Sequence, residues 1–276
     1  MYKIVEKEVL NDVVQKMVIE APFVARKCEP GQFIILRVVE GGERIPLTIM
    51  DFDRKRKTVT IVYQMLGLTT KLLGTKEVGD CLQDFVGPLG MPTVLGNHKR
   101  VLGIAGGVGS APLYPQLKKL ASNGTKVDVI IGGRTKELVI LGEEFAKFCD
   151  HVYYATNDGS LGHEGFVTDV FTSLLRDGET YDEVITIGPL IMMKAVVSIT
   201  KPLGIATGVS LNPIMIDGTG MCGGCRVTVG EETKFACVDG PDFDGLLVDF
   251  DEAMRRQSYY KEQEEHICRL EGESIG

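Results

Sequence analysis

The sequence predicts a small antiparallel β-barrel, then a doubly wound parallel α/β unit, then a short cysteine-bearing segment. Three observations carry this. From Met1 to about Val94, runs with period-two alternation and β-branched residues are punctuated throughout by glycine and proline. From Lys99 to about Gly208, apolar strand-like runs alternate with helical stretches, the pattern of a parallel sheet covered on both faces. Cys222, Cys225 and Cys237 then fall in a single short region rich in glycine.

In the first unit, expected at residues 1–95, strands are read at Lys3 to Leu10, Val13 to Glu20, Phe33 to Val38 and Thr58 to Tyr63. Only one helical stretch, Thr69 to Leu73, interrupts them, and short strands at this spacing describe a barrel. Arg54-Lys55-Arg56-Lys57 reads as a solvated hairpin turn. The second unit, expected at residues 96–209, begins with a change of style at Gly96-Asn97-His98. Its strands are Val101 to Ala105, Val127 to Gly132, His151 to Thr156 and Glu183 to Ile187. Its helices are Ala111 to Ala121, Glu143 to Phe148, Phe166 to Leu175 and Ile191 to Thr200. The cysteine segment occupies residues 210–250. A charged tail at 251–276 has helical composition from Asp251 to Leu270 and is expected to dock on another surface.

A chain of 276 residues can bury a large core and is expected to hold two domains with a small appendage. Its net charge of -8 excludes a nucleic-acid-binding role, because neutralising phosphates needs a basic face. There is no run of about 18 apolar residues and no basic-then-apolar leader. Neither a membrane span nor a secretory signal is therefore expected, and the location is expected to be cytoplasmic. Seven cysteines, an odd number with three at metal spacing, fit a reducing compartment better than a disulfide framework. Cys28, Cys81, Cys149 and Cys268 are expected to be unpaired.

The cysteine segment carries the most specific chemistry. Cys222 and Cys225 can reach one metal centre from a single glycine-rich turn, and Cys237 can close it from the other side. Glycine supplies unusual backbone angles there and leaves N–H groups free to point at sulfide. Asp217 stands where a fourth ligand is missing. The spacing Asp-x4-Cys-x2-Cys-x11-Cys is that of a plant-type two-iron cluster with its first cysteine replaced by a carboxylate. A dithiol switch fits poorly, since Arg226 to Val229 alternates like a strand instead of opening a helix. Structural zinc would accept the same donors, and an Asp-Gly dipeptide is also an ordinary turn.

Two further constellations belong to the other units. Gly106-Gly107-Val108-Gly109 lies at a strand-to-helix turn, where glycines admit a pyrophosphate to the backbone and a helix N-terminus faces it. Gly133 and Arg134 end the next strand, suited to the adenosine end of a dinucleotide, and Gly188-Pro189 ends the last, suited to a nicotinamide half. In the barrel, Arg44-Ile45-Pro46-Leu47-Thr48 offers a hydroxyl that could meet the reactive edge of a flavin. Gly67-Leu68-Thr69-Thr70 offers a turn at a helix start that could hold a diphosphate. Each is equally well explained as a turn with a helix cap.

Taken in this order, the motifs resemble those of the ferredoxin reductase-like family of flavoproteins over essentially the whole chain. Within it the chain is similar to the electron-transfer subunits of dihydroorotate dehydrogenase, and more so to the small subunits of NADH-dependent ferredoxin:NADP oxidoreductase, also seen as sulfide dehydrogenase subunits. The resemblance implies FAD on the barrel, NAD(H) on the α/β unit and a [2Fe-2S] cluster on Asp217, Cys222, Cys225 and Cys237. It implies that Pro46, Leu47 and Thr48 wrap the isoalloxazine and that Val62, Tyr63 and Gln64 meet the ribityl and adenosine portions. Gly67, Thr69 and Thr70 then hold the diphosphate, and Gly106 to Gly109, Gly133, Arg134, Gly188 and Met192 form the nucleotide site. The family's arginine lies three positions before the flavin-facing hydroxyl, whereas here Ile45 stands there with Arg44 beside it. Asp217 departs from the all-cysteine pattern of the dihydroorotate relatives. No acid, base or nucleophile is required, since the cofactors carry the chemistry. A larger flavin and iron-sulfur partner subunit and flavin-based bifurcation involving ferredoxin are the implied context. The alternatives are a sulfide or polysulfide reductase subunit, a dihydroorotate dehydrogenase electron-transfer subunit, and a zinc-bearing nucleotide-binding redox sensor.

Overall fold

In the computed structural model, which describes residues 1–260 and His266, the N-terminal unit is one antiparallel sheet. Its strands are β1 (Tyr2–Asn11), β2 (Val14–Glu20), β3 (Phe33–Arg37), β4 (Arg44–Asp53), β5 (Thr58–Gln64), β6 (Cys81–Leu82) and β7 (Asp84–Leu89). They pair in the order β6-β1-β2-β5-β4-β3-β7. The two edge strands are consecutive in the chain, with only Gln83 between them, so the sheet curls into a nearly closed barrel. The Tyr2 ring on β1 accordingly lies 5.6 Å from that of Phe85 on β7. Ile4, Met17, Ile19, Ile34, Leu36, Ile49, Ile61 and Tyr63 fill the interior. Each such apolar side chain contributes about 1.5–3 kcal/mol by leaving water.

Two helices rather than one accompany the barrel, α1 (Pro22–Lys27) and α2 (Leu68–Gly74). The first has no sequence signal, because six residues are too few to show a helical period. Pro22 starts it, where the missing N–H costs nothing. The basic run at 54–57 is a turn, as expected: Asp53 Oδ1 accepts from the N–H groups of Lys55 and Arg56 at 2.8 and 2.9 Å.

The second unit contains five parallel strands, β8 (Arg100–Gly106), β9 (Lys126–Gly133), β10 (His151–Thr156), the short β11 (His163–Glu164) and β12 (Glu183–Ile187), and a sixth, β13 (Ala206–Ser210). Its helices are α3 (Ser110–Ser122), α4 (Gly142–Phe145), α5 (Val167–Arg176) and α6 (Leu190–Leu203). Alternation on the strands divides the core. Val101, Ala105, Val127, Val129 and Ile131 pack with Leu113 and Leu117 of α3, while Leu102, Ile104, Ile130 and Val184 pack with Phe171 of α5 and Val196 of α6. The sheet is thus covered on both faces.

The cysteine segment is stitched to this sheet. Its hairpin, β14 (Arg226–Val229) and β15 (Glu232–Phe235), stands apart, but β16 (Asp242–Asp244) pairs antiparallel with β13 and completes the order β11-β10-β9-β8-β12-β13-β16. The expected limit between residues 209 and 210 therefore falls inside a strand. Helix α7 (Phe250–Gln257) buries Phe250 beside Val227 of β14 and Met193 and Val197 of α6. Asp249 Oδ1 caps it by accepting from Glu252 N at 2.9 Å, and Asp251 pairs with Lys194 of α6 at 2.6 Å. This is the start of the expected helical tail; residues 261–265 and 267–276, with Cys268, lie outside the described residues. Among the described residues no helix is long and apolar enough to cross a membrane.

Candidate functional site

The outward face of β3 and β4 is the meeting place of all three units. On β4, Ile45, Leu47 and Ile49 point into the barrel core, with Ile34 and Leu36 of β3. The other parity faces out: Thr48 stands opposite Phe33 and Pro46 opposite Ile35, and directly opposed residues share a face. Leu47, expected beside a cofactor, therefore turns its side chain inward. Arg44 lies four positions before Thr48 and shares its face, whereas Ile45, three before it, points inside. The strand period of two thus puts the arginine on the hydroxyl's side despite the shifted spacing.

Tyr63 faces inward. Its ring is buried in the barrel and its O–H donates to Gln15 Oε1 at 2.8 Å, while burial pushes the phenol well above its ordinary range. Val62 on the opposite face is buried with Met50 and Tyr114 against the α/β unit, and Gln64 is half-buried at the strand end. Below it the α2 turn is closed by Thr70, whose Oγ1 accepts from Gly67 N at 3.1 Å and donates to Gly67 O at 3.0 Å. The buried Thr69 hydroxyl donates to Glu43 Oε2 at 2.6 Å, a contact without a sequence signal.

The glycine turns gather at the carboxyl ends of adjacent parallel strands. Gly106 to Gly109 close β8, Gly133 and Arg134 end β9, and Gly188-Pro189 follow β12. Strand order runs outward from β8 in both directions there, which is the crevice where open α/β sheets take ligands. The glycines are dictated by close approach. A methyl at Gly109 would lie 2.2 Å from Ile187 O, one at Gly106 2.6 Å from Met192 Sδ, and one at Gly188 2.8 Å from Met192 Cε. The cradle is thus lined by backbone, with Met192 packed between two of its glycines and Arg134 exposed at its rim. Backbone groups bared in this way fit a dinucleotide diphosphate. Residues 107–109 abut β5, and α3 packs on β4, where Lys118 Nζ meets Asp51 Oδ2 at 2.7 Å.

On the other flank, Cys225 and Cys237 are buried against Phe33 and Ile35, with their sulfurs 3.1 Å apart. Burial, and the neighbouring Cys225, push the Cys237 thiol up to about 12. Cys222 is exposed, and backbone N–H groups of Gly224, Asp217 and Ile216 hold its thiol below the usual range. Gly218, Gly220 and Gly223 all take positive φ, of 81°, 86° and 69°, which wraps the loop so that its N–H groups face the sulfurs. A cradle of thiols and bared N–H groups fits an iron-sulfur cluster. Asp217 instead turns its carboxylate to its own loop, accepting from Thr219 N at 2.9 Å, from the Thr219 hydroxyl and from Met221 N at 3.4 Å. These contacts, and Arg44 nearby, hold it well ionised. Among the described residues no three His, Cys, Asp or Glu side chains converge around one point. The structure brings Cys225 and Cys237 together and leaves Cys222 and Asp217 on the adjoining loop.

A further group unremarked in the sequence is Asp242 of β16. Its Oδ2 accepts from the Thr93 hydroxyl of the barrel exit and from Gln116 Nε2 of α3 at 2.9 Å, and its Oδ1 is sealed from solvent without a partner. Burial raises this carboxyl to about 6.

Comparison with known proteins agrees with this architecture. Residues 212–249 match the family described as the iron-sulfur cluster binding domain of dihydroorotate dehydrogenase B. The chain is 44% identical to a dihydroorotate dehydrogenase B (NAD(+)) electron transfer subunit homolog of Thermotoga maritima, across 96% of this chain and 98% of that one. It is 34% identical to the corresponding electron transfer subunit of Fusobacterium nucleatum, across 82% and 89%. A solved structure of NADH-dependent reduced ferredoxin-NADP oxidoreductase, studied for flavin-based electron bifurcation, superposes with a TM-score of 0.92 at 43% identity, covering 98% of this chain and 97% of that one. A ferredoxin NADP+ reductase of Neisseria gonorrhoeae shares the fold at 14% identity and a TM-score of 0.60, over 74% and 90%.

Proposed function

The chain belongs to the family of dihydroorotate dehydrogenase B electron-transfer subunits, and from that premise we propose that it moves electrons between NAD(H), an FAD on the barrel and a [2Fe-2S] cluster, delivering them to a larger flavin and iron-sulfur partner subunit. The observation that carries the proposal is the convergence on β3 and β4. Thr48 and Pro46 lie on the face whose neighbours Phe33 and Ile35 pack against Cys225 and Cys237, while the Gly107–Gly109 turn abuts the next strand, β5. Bound there, the flavin supplies the exchange between two-electron hydride chemistry and single-electron transfer.

The chain's own residues position and insulate. Arg44, Pro46 and Thr48 would hold the isoalloxazine. Gln64 and the backbones of Val62 and Tyr63 would meet the ribityl and adenosine portions, and Gly67, Thr69 and Thr70 the diphosphate. Gly106, Gly107, Val108, Gly109, Gly133, Arg134, Gly188, Pro189 and Met192 would hold NAD(H). Asp217, Cys222, Cys225 and Cys237 would hold the cluster, Asp217 after leaving its turn. Phe33 and Ile35 exclude water between the outward face of β4 and the buried thiols. Cys222 and Met221, the latter 87% exposed, bring the cluster segment to the surface where a partner would receive electrons.

The similarity to the NADH-dependent reduced ferredoxin-NADP oxidoreductase structure supports a bifurcating assembly. The names of relatives at 33–35% identity support a second reading, a partner that oxidises dihydroorotate; Asp217 in place of cysteine favours the first. Anaerobic purification with its partner separates them. We expect FAD, two irons per chain, and faster stopped-flow reduction by NADH than by NADPH. Release of FMN, absence of flavin, or preference for NADPH would each overturn the corresponding part, and copurification of a dihydroorotate-oxidising subunit would decide for the second reading.

A further inference from the structure

The turn between Cys222 and Cys225 is held from outside by two guanidinium groups. Arg226 Nη1 donates to Gly223 O at 3.3 Å, and Arg256 Nη2 donates to Gly224 O at 3.2 Å. Arg226 follows the turn directly on β14. Arg256 arrives from α7, beyond residue 249 where the iron-sulfur family match ends.

Peptide geometry makes these contacts consequential. In a trans peptide the carbonyl and the N–H of one unit point in opposite directions. Gly223 O shares its unit with Gly224 N–H, and Gly224 O shares its unit with Cys225 N–H. Holding both carbonyls on the outside therefore turns both N–H groups to the opposite, inner side of the turn, where Gly224 N–H reaches Cys222 Sγ at 3.5 Å. Two consecutive glycines have no side chain to fix these planes, and Gly223 sits at φ 69°. An external clamp supplies what the glycines lack. Arg226 is exposed, whereas Arg256 is half-buried, lies over the Tyr259 ring at 5.6 Å, and rides on a helix anchored by Phe250 and the Lys194–Asp251 pair. Arg256 is thus the better-held of the two.

Resting on the iron-sulfur reading above, we propose that Arg256 is a positioning residue for the cluster: α7 orients the Cys222–Cys225 peptide planes so that their N–H groups face sulfur, and adds a positive charge beside them. Both effects favour the reduced, more negative state of a cluster, because hydrogen bonds to sulfur and local charge set its potential. The C-terminal helix is then part of the redox site and not merely an appended tail.

The test is an anaerobic redox titration of the full chain, followed by electron paramagnetic resonance, with iron and sulfide content measured on the same samples. R256Q is expected to keep its iron and its rate of flavin reduction by NADH. At the wild-type midpoint its oxidised-to-reduced ratio should rise about tenfold, equivalent to about 59 mV for one electron. R256K should stay near wild type. A fully loaded R256Q with the wild-type potential overturns the proposal. If R256Q fails to load iron, R256K decides: a loaded protein with the wild-type potential supports the proposal, and an unloaded one or one with a displaced potential overturns it. Wild-type protein lacking iron and sulfide, or holding zinc, would instead defeat the iron-sulfur reading itself.

Discussion

Replacing Asp242 by asparagine removes a carboxyl that three units of the fold enclose. Its hydrogen-bond partners Thr93 and Gln116 are uncharged, so nothing offsets the cost of burying the anion beyond those two bonds. The carboxyl consequently rises from its ordinary 3.8 to about 6 in the folded protein. A raised acid binds its proton more tightly when folded, so its contribution is fully present below the unfolded value of 3.8 and is lost as pH rises through about 6. The total is about 3 kcal/mol, and about 2 kcal/mol of it falls between about pH 4.5 and 7.5. The amide that replaces the carboxyl cannot ionise. Equilibrium urea unfolding of wild type and D242N at matched cofactor content should therefore show the wild type losing about 2 kcal/mol relative to the variant across that range. A difference between the two that stays flat with pH, or that moves in the wild type's favour as pH rises, would refute the assignment of a raised, buried carboxyl.

Thr48→Val should displace the flavin potential in a redox titration while leaving flavin retention on gel filtration nearly unchanged, since the hydroxyl is on the outward face of β4; an unchanged potential counts against that placement. Gly109→Ala drives a methyl to 2.2 Å from Ile187 O, so the turn must shift at about 1–3 kcal/mol, and NADH-dependent flavin reduction should fall more than about tenfold with flavin still bound. Cys225→Ser should abolish the cluster signal while sparing flavin reduction by the nucleotide. Asp217→Cys should retain a cluster with an altered spectrum, and an Asp217→Ala protein with an unchanged resonance signal would make Asp217 a turn residue only.

How far the fold was legible depended on whether one face of an element was buried. β1 and β2 alternate, and β8, β9 and β12 are apolar runs, so the sequence marks them to within a residue or two. β4 was legible only as a motif, because Arg44 to Thr48 contains a proline and a charge where a strand would alternate cleanly. Tyr63 shows the limit of periodicity. β5 is buried on both sides, one against the barrel core and the other against the α/β unit, so alternation gives two faces without saying which is inside. The segment 210–250 looked autonomous because its β16 pairs with a strand more than thirty residues earlier, and only tertiary contact reveals such pairing.

The site was visible as residue types and invisible as a place. Cysteine spacing and glycine turns announce their chemistry locally, since a ligand loop or a phosphate cradle is built from neighbours in sequence. What joins them is register. Phe33 opposite Thr48 and Ile35 opposite Pro46 turn the outer surface of two barrel strands into a wall with the hydroxyl on one strand and the buried thiols packed on the other. A shift of that pairing by one residue would send Phe33 and Ile35 into the barrel and leave Cys225 and Cys237 against different side chains. On the proposed reading, electron transfer between the units would depend on strand pairing in the barrel as much as on any ligand, and the residues that fix that pairing, such as Ile34, Leu36, Ile45 and Leu47, pack on the inner face in the barrel core.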